Sequence, residues 1–178
     1  MTRKIIRNKD KGILFFITGL SGAGKTSITR KIIKEISQLY GPTLEISGNS
    51  FRNIFEFNKF TKKSRREYRD SYLLFARLLT DQKINLIYNM IGMYKSFRTR
   101  IKKIDNYVEI YIKADIHKII KFKKKATYLK NKKNIVGLDI KAEFPTNPHI
   151  TINNDFNRKT DALAKELLIK LKKLNIKK

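Results

Sequence analysis

Apolar and polar positions along the chain fall into blocks whose period changes from one block to the next. Ile13-Leu14-Phe15-Phe16-Ile17-Thr18 is an unbroken apolar run, the pattern of a strand buried on both faces. After Thr26 the apolar positions move to helical spacing at Ile28, Ile32, Ile33, Ile36 and Leu39, and Gly41-Pro42 predicts the stop. Thr43 to Ile46 predicts a second strand that ends at Ser47-Gly48-Asn49, and Ser50 to Arg52 opens a short helix. The next helix, capped by Thr61 or Ser64, carries Tyr68, Tyr72, Phe75, Ala76 and Leu79 on one face. Ile84 to Ile91 reads as a third buried strand, Lys95 to Lys103 as a basic helix or loop, and Tyr107 to Ala114 as a central strand. Phe144 to Pro148 is a loop, His149 to Ile152 a last short strand, and Thr160 to Leu174 a helix with Leu163, Leu167, Leu168, Leu171 and Leu174 inward. Strands alternating with helices imply a three-layer α/β domain with a mostly parallel sheet, whose ligands sit at the carboxyl ends of the strands.

Between the first strand and the first helix lies Gly19-Leu20-Ser21-Gly22-Ala23-Gly24-Lys25-Thr26, which fits G-x-x-x-x-G-K-[ST] at every fixed position. The chemistry needs these residues in this order. The glycines let backbone N–H groups turn inward around phosphate oxygens without a Cβ in the way. A helix starting near Gly24 adds the positive end of its dipole. Lys25 places a point charge on the β- and γ-phosphates, and the Thr26 hydroxyl can ligate Mg²⁺. Residues 19–26 and the adjoining Ser27 are therefore the expected ATP-binding loop, with Thr26 the expected metal ligand.

The length of 178 residues suits one domain, and the 41% hydrophobic content suits a globular core. No apolar run approaches the roughly 18 residues that cross a bilayer. The basic start ahead of the first strand resembles a signal peptide only superficially, since its apolar run ends in the phosphate loop. Residues 1–12 read as a mobile basic arm. With no cysteine, disulfide and thiolate chemistry are excluded, and the cytoplasm is the expected compartment. The formal charge of +26 calls for anionic partners, although abundant Lys, Ile and Asn also fit a codon bias toward A and T. Nucleic acid is not the expected partner, because Arg-rich or aromatic-interleaved motifs are missing. The Lys-rich stretch His117 to Asn134 has few apolar anchors and reads as a solvated helix or a lid, the lid-like segment reaching about residue 138.

Taken together, the motifs resemble those of the adenylyl-sulfate kinases, a group of small P-loop kinases, over almost the whole chain. The loop at 19–26 is similar to that family's phosphate loop letter for letter. Ser47-Gly48-Asn49-Ser50-Phe51-Arg52 aligns with its Asp-Gly-Asp-x-x-Arg motif, and Phe60 to Arg65 with its Phe-Ser-x-x-x-Arg segment. Ile91 to Lys95 sits where the family has Ile-Ser-Pro-Tyr-Arg, and Asn134 to Asp139 where it has the Asn-Phe-Thr-Gly-Ile-Asp of its lid. Phe144-Pro145-Thr146-Asn147-Pro148 matches the Glu-x-Pro-x-Asn-Pro that follows. The resemblance implies a P-loop kinase fold, ATP and Mg²⁺ as cofactors, and transfer of the γ-phosphoryl group to the 3′-hydroxyl of adenylyl sulfate, a step of sulfate assimilation. It implies that Arg52 and Arg65 hold the acceptor's anionic groups, as guanidinium forks suit. It also implies that Phe60 stacks on the acceptor base opposite Ile135, that Lys133 approaches the phosphates, and that Lys25 and Asn49 stand at the catalytic positions. A homodimer is compatible with it.

The chain departs from the motif at chosen points. Ser47 and Asn49 replace both aspartates, Gly92 replaces a serine the family sometimes phosphorylates, Ile135 replaces the lid aromatic, and Tyr68 stands where an acceptor-binding Asn is usual. Asn49 can hydrogen-bond a hydroxyl but cannot take its proton near pH 7. These changes leave open a related acceptor, such as a CDP-linked intermediate of surface polysaccharide synthesis, and a catalytically impaired nucleotide binder. His117 and His149 lack metal-ligand spacing and read as ordinary histidines. Asp115 reads as a site carboxylate or a helix cap, and Tyr94 and Lys95 as substrate contacts or packing.

Overall fold

The computed structural model describes residues 8–59, 61–123, 134–174 and 176. Five parallel strands run β1 (Leu14–Thr18), β2 (Thr43–Ser47), β3 (Asn85–Met90), β4 (Tyr107–Lys113) and β5 (Ile150–Asn153), in the spatial order β2-β3-β1-β4-β5. β1 is central because it is apolar throughout: all five of its residues are buried, as are all six of β3. It pairs with β3 from Leu14↔Leu86 to Thr18↔Met90 and with β4 from Leu14↔Tyr107 to Thr18↔Tyr111.

The two parities of β1 face two cores. Ile13, Phe15 and Ile17 pack with Ile28, Ile32 and Ile36 and with Leu163, Leu167 and Leu171 of the last helix. Leu14 and Phe16 pack with Phe51, Tyr72, Ala76, Phe97 and Ile101 on the opposite face. Those side chains come from helices α1 (Lys25–Thr29), α2 (Ile33–Tyr40) and α7 (Thr160–Lys173) on one side, and α3 (Gly48–Ile54), α4 (Lys62–Asp81) and α5 (Lys95–Ile101) on the other. Helix α6 (Ile116–Lys123) follows β4 and buries Ile119 in the first of these cores. The expected three-layer α/β architecture is the observed one.

Several local expectations meet corrections. The helix expected to run unbroken from Thr26 to Leu39 is two helices. At Lys31 and Ile32 the backbone bonds shorten from i→i−4 to i→i−3, reaching Ile28 O and Thr29 O, and Ile32 leaves helical geometry at φ −122°, ψ 0°. The stretch is crowded with β-branched residues, which lose side-chain freedom against the preceding turn and weaken a helix there. The arm expected to be mobile over 1–12 is anchored from Asn8 onward. Asn8 N donates to Asn106 Oδ1 at 2.8 Å, Asn106 Nδ2 donates back to Asn8 O at 2.8 Å, and Gly12 N donates to Thr80 O at 2.7 Å. Residues 1–7 lie outside the described set. Of the lid-like segment, residues 124–133 also lie outside it, while Ile135, Val136 and Ile140 are buried, so its carboxyl end is docked on the body rather than solvated.

Helix starts follow their caps. Ser47 Oγ accepts from Ser50 N at 3.0 Å at the head of α3, and Thr61 Oγ1 accepts from Ser64 N at 3.1 Å at the head of α4. Asp115 Oδ1 accepts from Lys118 N at 3.0 Å, which makes Asp115 a cap. His149 Nδ1 accepts from Glu109 N at 2.8 Å, an ordinary strand-end contact.

Asn85, fully buried at the start of β3, ties three segments together. Its Oδ1 accepts from Ile13 N at 2.8 Å, and its Nδ2 donates to Tyr40 O and Gly41 O, both at 3.1 Å. Replacing it with alanine leaves buried backbone groups unsatisfied, each costing about 1–3 kcal/mol. Asn85→Ala is expected to lower unfolding stability in urea by about 3 kcal/mol with an unchanged m-value.

Candidate active site at the carboxyl ends of the strands

The loops leaving β1, β2 and β3 at their carboxyl ends enclose a cleft of about 420 Å³. This is the position where an open parallel sheet holds its ligands. Ser21, Gly22, Gly24, Lys25, Thr26 and Ser27 form one wall. Gly24 holds φ +97°, and a Cβ there would stand 3.0 Å from Asn154 Nδ2, so the loop keeps its turn and its close approach through glycine. Asn154 Nδ2 also donates to Ala23 O at 2.9 Å, fastening the loop to the segment after β5. Of the residues expected in the phosphate loop, Gly19, Leu20 and Ala23 form its base rather than its wall. Gly19 O and Leu20 O each accept from Lys25 Nζ at 2.8 Å, which holds the ammonium against the loop.

The opposite wall is built by α3, α4 and the turn after β3. Ser47, Asn49 and Arg52 come from the β2–α3 junction, where Asn49 Oδ1 accepts from Arg52 Nη2. Arg65 comes from the first turns of α4, and its Nη2 donates to Asn134 O at 3.2 Å. Ile135 is 9% exposed and does not line the cleft. Phe60 and Lys133 lie outside the described residues.

Three polar cleft residues escaped the sequence reading: Lys59, Arg69 and Asn89. Arg69 sits one helical turn after Arg65 and lies 5.2 Å over the Tyr94 ring, with Nη1 donating to Ser96 Oγ at 2.9 Å. Its period with Arg65 was a usable signal. Asn89 was legible only as a polar residue near the end of a buried strand.

With Lys25, Arg52, Lys59, Arg65 and Arg69, five cationic side chains line the cleft, and among the described residues no carboxylate does. The cations feel this. Burial above all pulls Arg65 below its ordinary value; Tyr94 opposes it, the Arg52 guanidinium adds a smaller downward pull, and Tyr72 a still smaller upward one. Arg69 is pulled down as well, by burial and then by Arg66. A shift of that sign means that burial disfavours the charged form, and a bound polyanion opposes it. On the apolar side, Tyr68 lies face to face on Phe57, with centroids 3.9 Å apart and planes 4° apart, so the residue at the usual amide position is a fixed aromatic wall. Tyr72 is also pushed up, chiefly by burial. No group of three or more His, Asp or Glu able to hold a metal occurs among the described residues. The oxygen donors lining the cleft include the hydroxyls of Ser21, Thr26, Ser27 and Ser47 and the amides of Asn49 and Asn89. Such neutral oxygens suit a hard cation that keeps most of its water.

Known proteins agree with this arrangement. The model of the family described as adenylylsulphate kinase matches residues 11–153. A cytidine diphosphoramidate kinase of Campylobacter jejuni is 28% identical over 169 residues, covering 90% of this chain and 99% of its own. A probable adenylyl-sulfate kinase of Pyrococcus abyssi is 29% identical over 166 residues, covering 90% and 94%. In structure, the chain is similar to the Mycobacterium tuberculosis APS kinase crystallised with AMPPNP and APS, at a TM-score of 0.79 and 22% identity over 91% of this chain and 98% of that one. No helix among the described residues is long and apolar enough to cross a membrane.

Gly92, at the turn after β3, has φ +56°, and a Cβ there would lie 2.6 Å from Phe16 Cζ and 2.9 Å from Thr18 Oγ1. A serine at this position is therefore excluded by sterics as well as by φ. Gly92→Ser is expected to lower the melting temperature by about 5–10 °C, read by differential scanning fluorimetry, rather than to restore a modifiable serine.

Proposed function

Because the chain belongs to the adenylylsulphate kinase family, we propose that its cleft transfers the γ-phosphoryl group of ATP to a hydroxyl of a second, nucleotide-like anion. The observation that carries this reading is the meeting of the glycine-lined loop, with Lys25 and Thr26, and the Arg52–Arg65–Arg69 wall in one cleft without a carboxylate. Two polyanions brought within bonding distance repel each other, and a cation-lined cleft offsets that repulsion.

In this reading residues 19–27 hold the triphosphate, with Lys25 released from the Gly19 and Leu20 carbonyls to the phosphates. Arg52 and Arg65 take the acceptor's anionic groups. Thr26 would ligate the Mg²⁺ of the ATP, and the metal would supply charge neutralisation to the triphosphate. Asn49, turned toward Arg52, orients the acceptor hydroxyl but does not take its proton at neutral pH. Phosphoryl transfer has a loose transition state that depends on positioning and charge more than on base strength. The missing base lowers the rate, typically about 10²–10⁴-fold, without removing the reaction. Phe60 on the acceptor base and Lys133 on the phosphates remain part of the proposal.

Adenylyl sulfate is the first acceptor to test. Cytidine diphosphoramidate is the second, favoured by the Campylobacter relative and by Tyr68, which offers the base a flat face where an amide would read its edge. Both are incubated with ATP, Mg²⁺ and protein, and ADP is followed against an ATP-only control. ADP above that control with either acceptor is expected, and none with any nucleotide acceptor overturns the reading. Lys25→Met is expected to abolish turnover while leaving the melting temperature within a few degrees.

Restoring carboxylates gives an independent check. Ser47→Asp keeps an N-cap oxygen on Ser50 N, and Asn49→Asp keeps an acceptor for Arg52. The double variant is expected to raise kcat by about tenfold or more. An unchanged kcat means that positions 47 and 49 do not face the reacting hydroxyl.

A further inference from the structure

Among the described residues four asparagines are buried: Asn85, Asn89, Asn106 and Asn154. In three of them the side-chain carbonyl is satisfied by a backbone N–H. Asn85 Oδ1 accepts from Ile13, Asn106 Oδ1 from Asn8, and Asn154 Oδ1 from Phe156. Asn89 differs. It is 2% exposed, and its Oδ1 has no hydrogen-bond partner. It is also the one of the four that lines the large cleft.

The orientation of the Asn89 amide follows from its neighbours. Nδ2 donates to Glu45 Oε1 at 2.6 Å and to Thr29 Oγ1 at 2.8 Å, which uses both of its hydrogens. A carboxylate accepts only, so turning the amide over would set oxygen against oxygen at Glu45. Oδ1 is therefore fixed as the atom left without a donor. Donation to a charged carboxylate also polarises the amide and strengthens Oδ1 as an acceptor. The clamp reaches the phosphate loop, because Thr29 Oγ1 in turn donates to Thr26 O at 3.2 Å. On the other side Asn89 is the register partner of Ser47.

A buried acceptor held at this place needs a donor, and phosphate oxygens are not donors. We propose that Asn89 positions magnesium-bound ATP: its Oδ1 accepts a hydrogen bond from water in the hydration shell of the Mg²⁺ that Thr26 ligates. This rests on the kinase reading above. In a cleft that no carboxylate lines, Glu45 lends its charge to the metal's shell through the Asn89 amide. Asn89 and Glu45 are thus positioning residues, one step removed from the reacting atoms.

The test separates metal-dependent from metal-free nucleotide binding by calorimetry, with AMPPNP in excess Mg²⁺ and AMPPNP in EDTA. The wild-type chain is expected to bind more tightly with Mg²⁺. Asn89→Leu keeps the shape and removes the acceptor, and is expected to weaken Mg²⁺–AMPPNP binding by about tenfold or more while metal-free binding stays unchanged. Glu45→Gln frees the amide to turn, keeps a full-sized side chain on Asn89 and is expected to act in the same direction with a smaller loss; it serves if the leucine variant does not fold. A parallel loss in both arms, or no loss in either, overturns the proposal and leaves the kinase reading standing. The same holds if the wild type shows no gain from Mg²⁺, or if Asn89→Leu instead lowers only acceptor affinity. Wild-type protein that binds AMPPNP in neither arm overturns both.

Discussion

Five cations brought to one cleft without a carboxylate among them set the terms for the rest of the molecule. Like charges so placed repel, and burial of two of the guanidiniums makes that repulsion harder to screen. The fold must hold them there by other means. It does so with neutral contacts: Lys25 on loop carbonyls, Arg52 on an asparagine, Arg65 on a backbone carbonyl and Arg69 on a serine and a tyrosine ring. Each of these contacts is made to an uncharged group. In a protein whose formal charge is already +26, the local arrangement still matters, because most of that excess is spread over solvated surface where salt screens it.

Carboxylates are present but kept back from the cleft wall. Glu109, fully buried on β4, is met by Lys102 Nζ at 2.9 Å and Arg98 Nε at 3.5 Å. Arg98 then donates to Gly92 O at 2.8 Å and Phe144 O at 3.3 Å, joining the turn after β3 to the loop before β5. Glu45 is turned onto Asn89. The chain thus uses buried acids to brace the site from behind, and neutral oxygens and cations to face the ligand. Buried ion pairs are weak evidence for stability but good locators of structure, and here one of them fixes two loops at the cleft's rim.

Much was legible without coordinates. The phosphate loop announced itself by spacing, the strand before it by an unbroken apolar run, and the final helix by its leucine period. The breaks came where local pattern and tertiary demand disagree. Ile28, Ile32 and Ile36 keep helical spacing across residues 30–32, yet the backbone steps out of the helix there. The asparagine pair Asn8 and Asn106 lies 98 residues apart, and no periodicity could have linked them. Arg69 could have been found, since it stands one turn beyond Arg65 on the same helix.

The sequence by itself determined the succession of strands and helices along the chain, the parallel sheet and the glycine-rich loop between β1 and α1. Each of these rests on local rules: a side-chain period, a glycine where φ must be positive, a lysine and a hydroxyl at fixed offsets. Only the tertiary structure decided which cations share a cleft, which acids are turned away from it, and which buried amide is left with an open acceptor. Those outcomes depend on register between strands and on which helix face meets which sheet face. Charges and hydrogen bonds act through space, and the chain order does not record those distances.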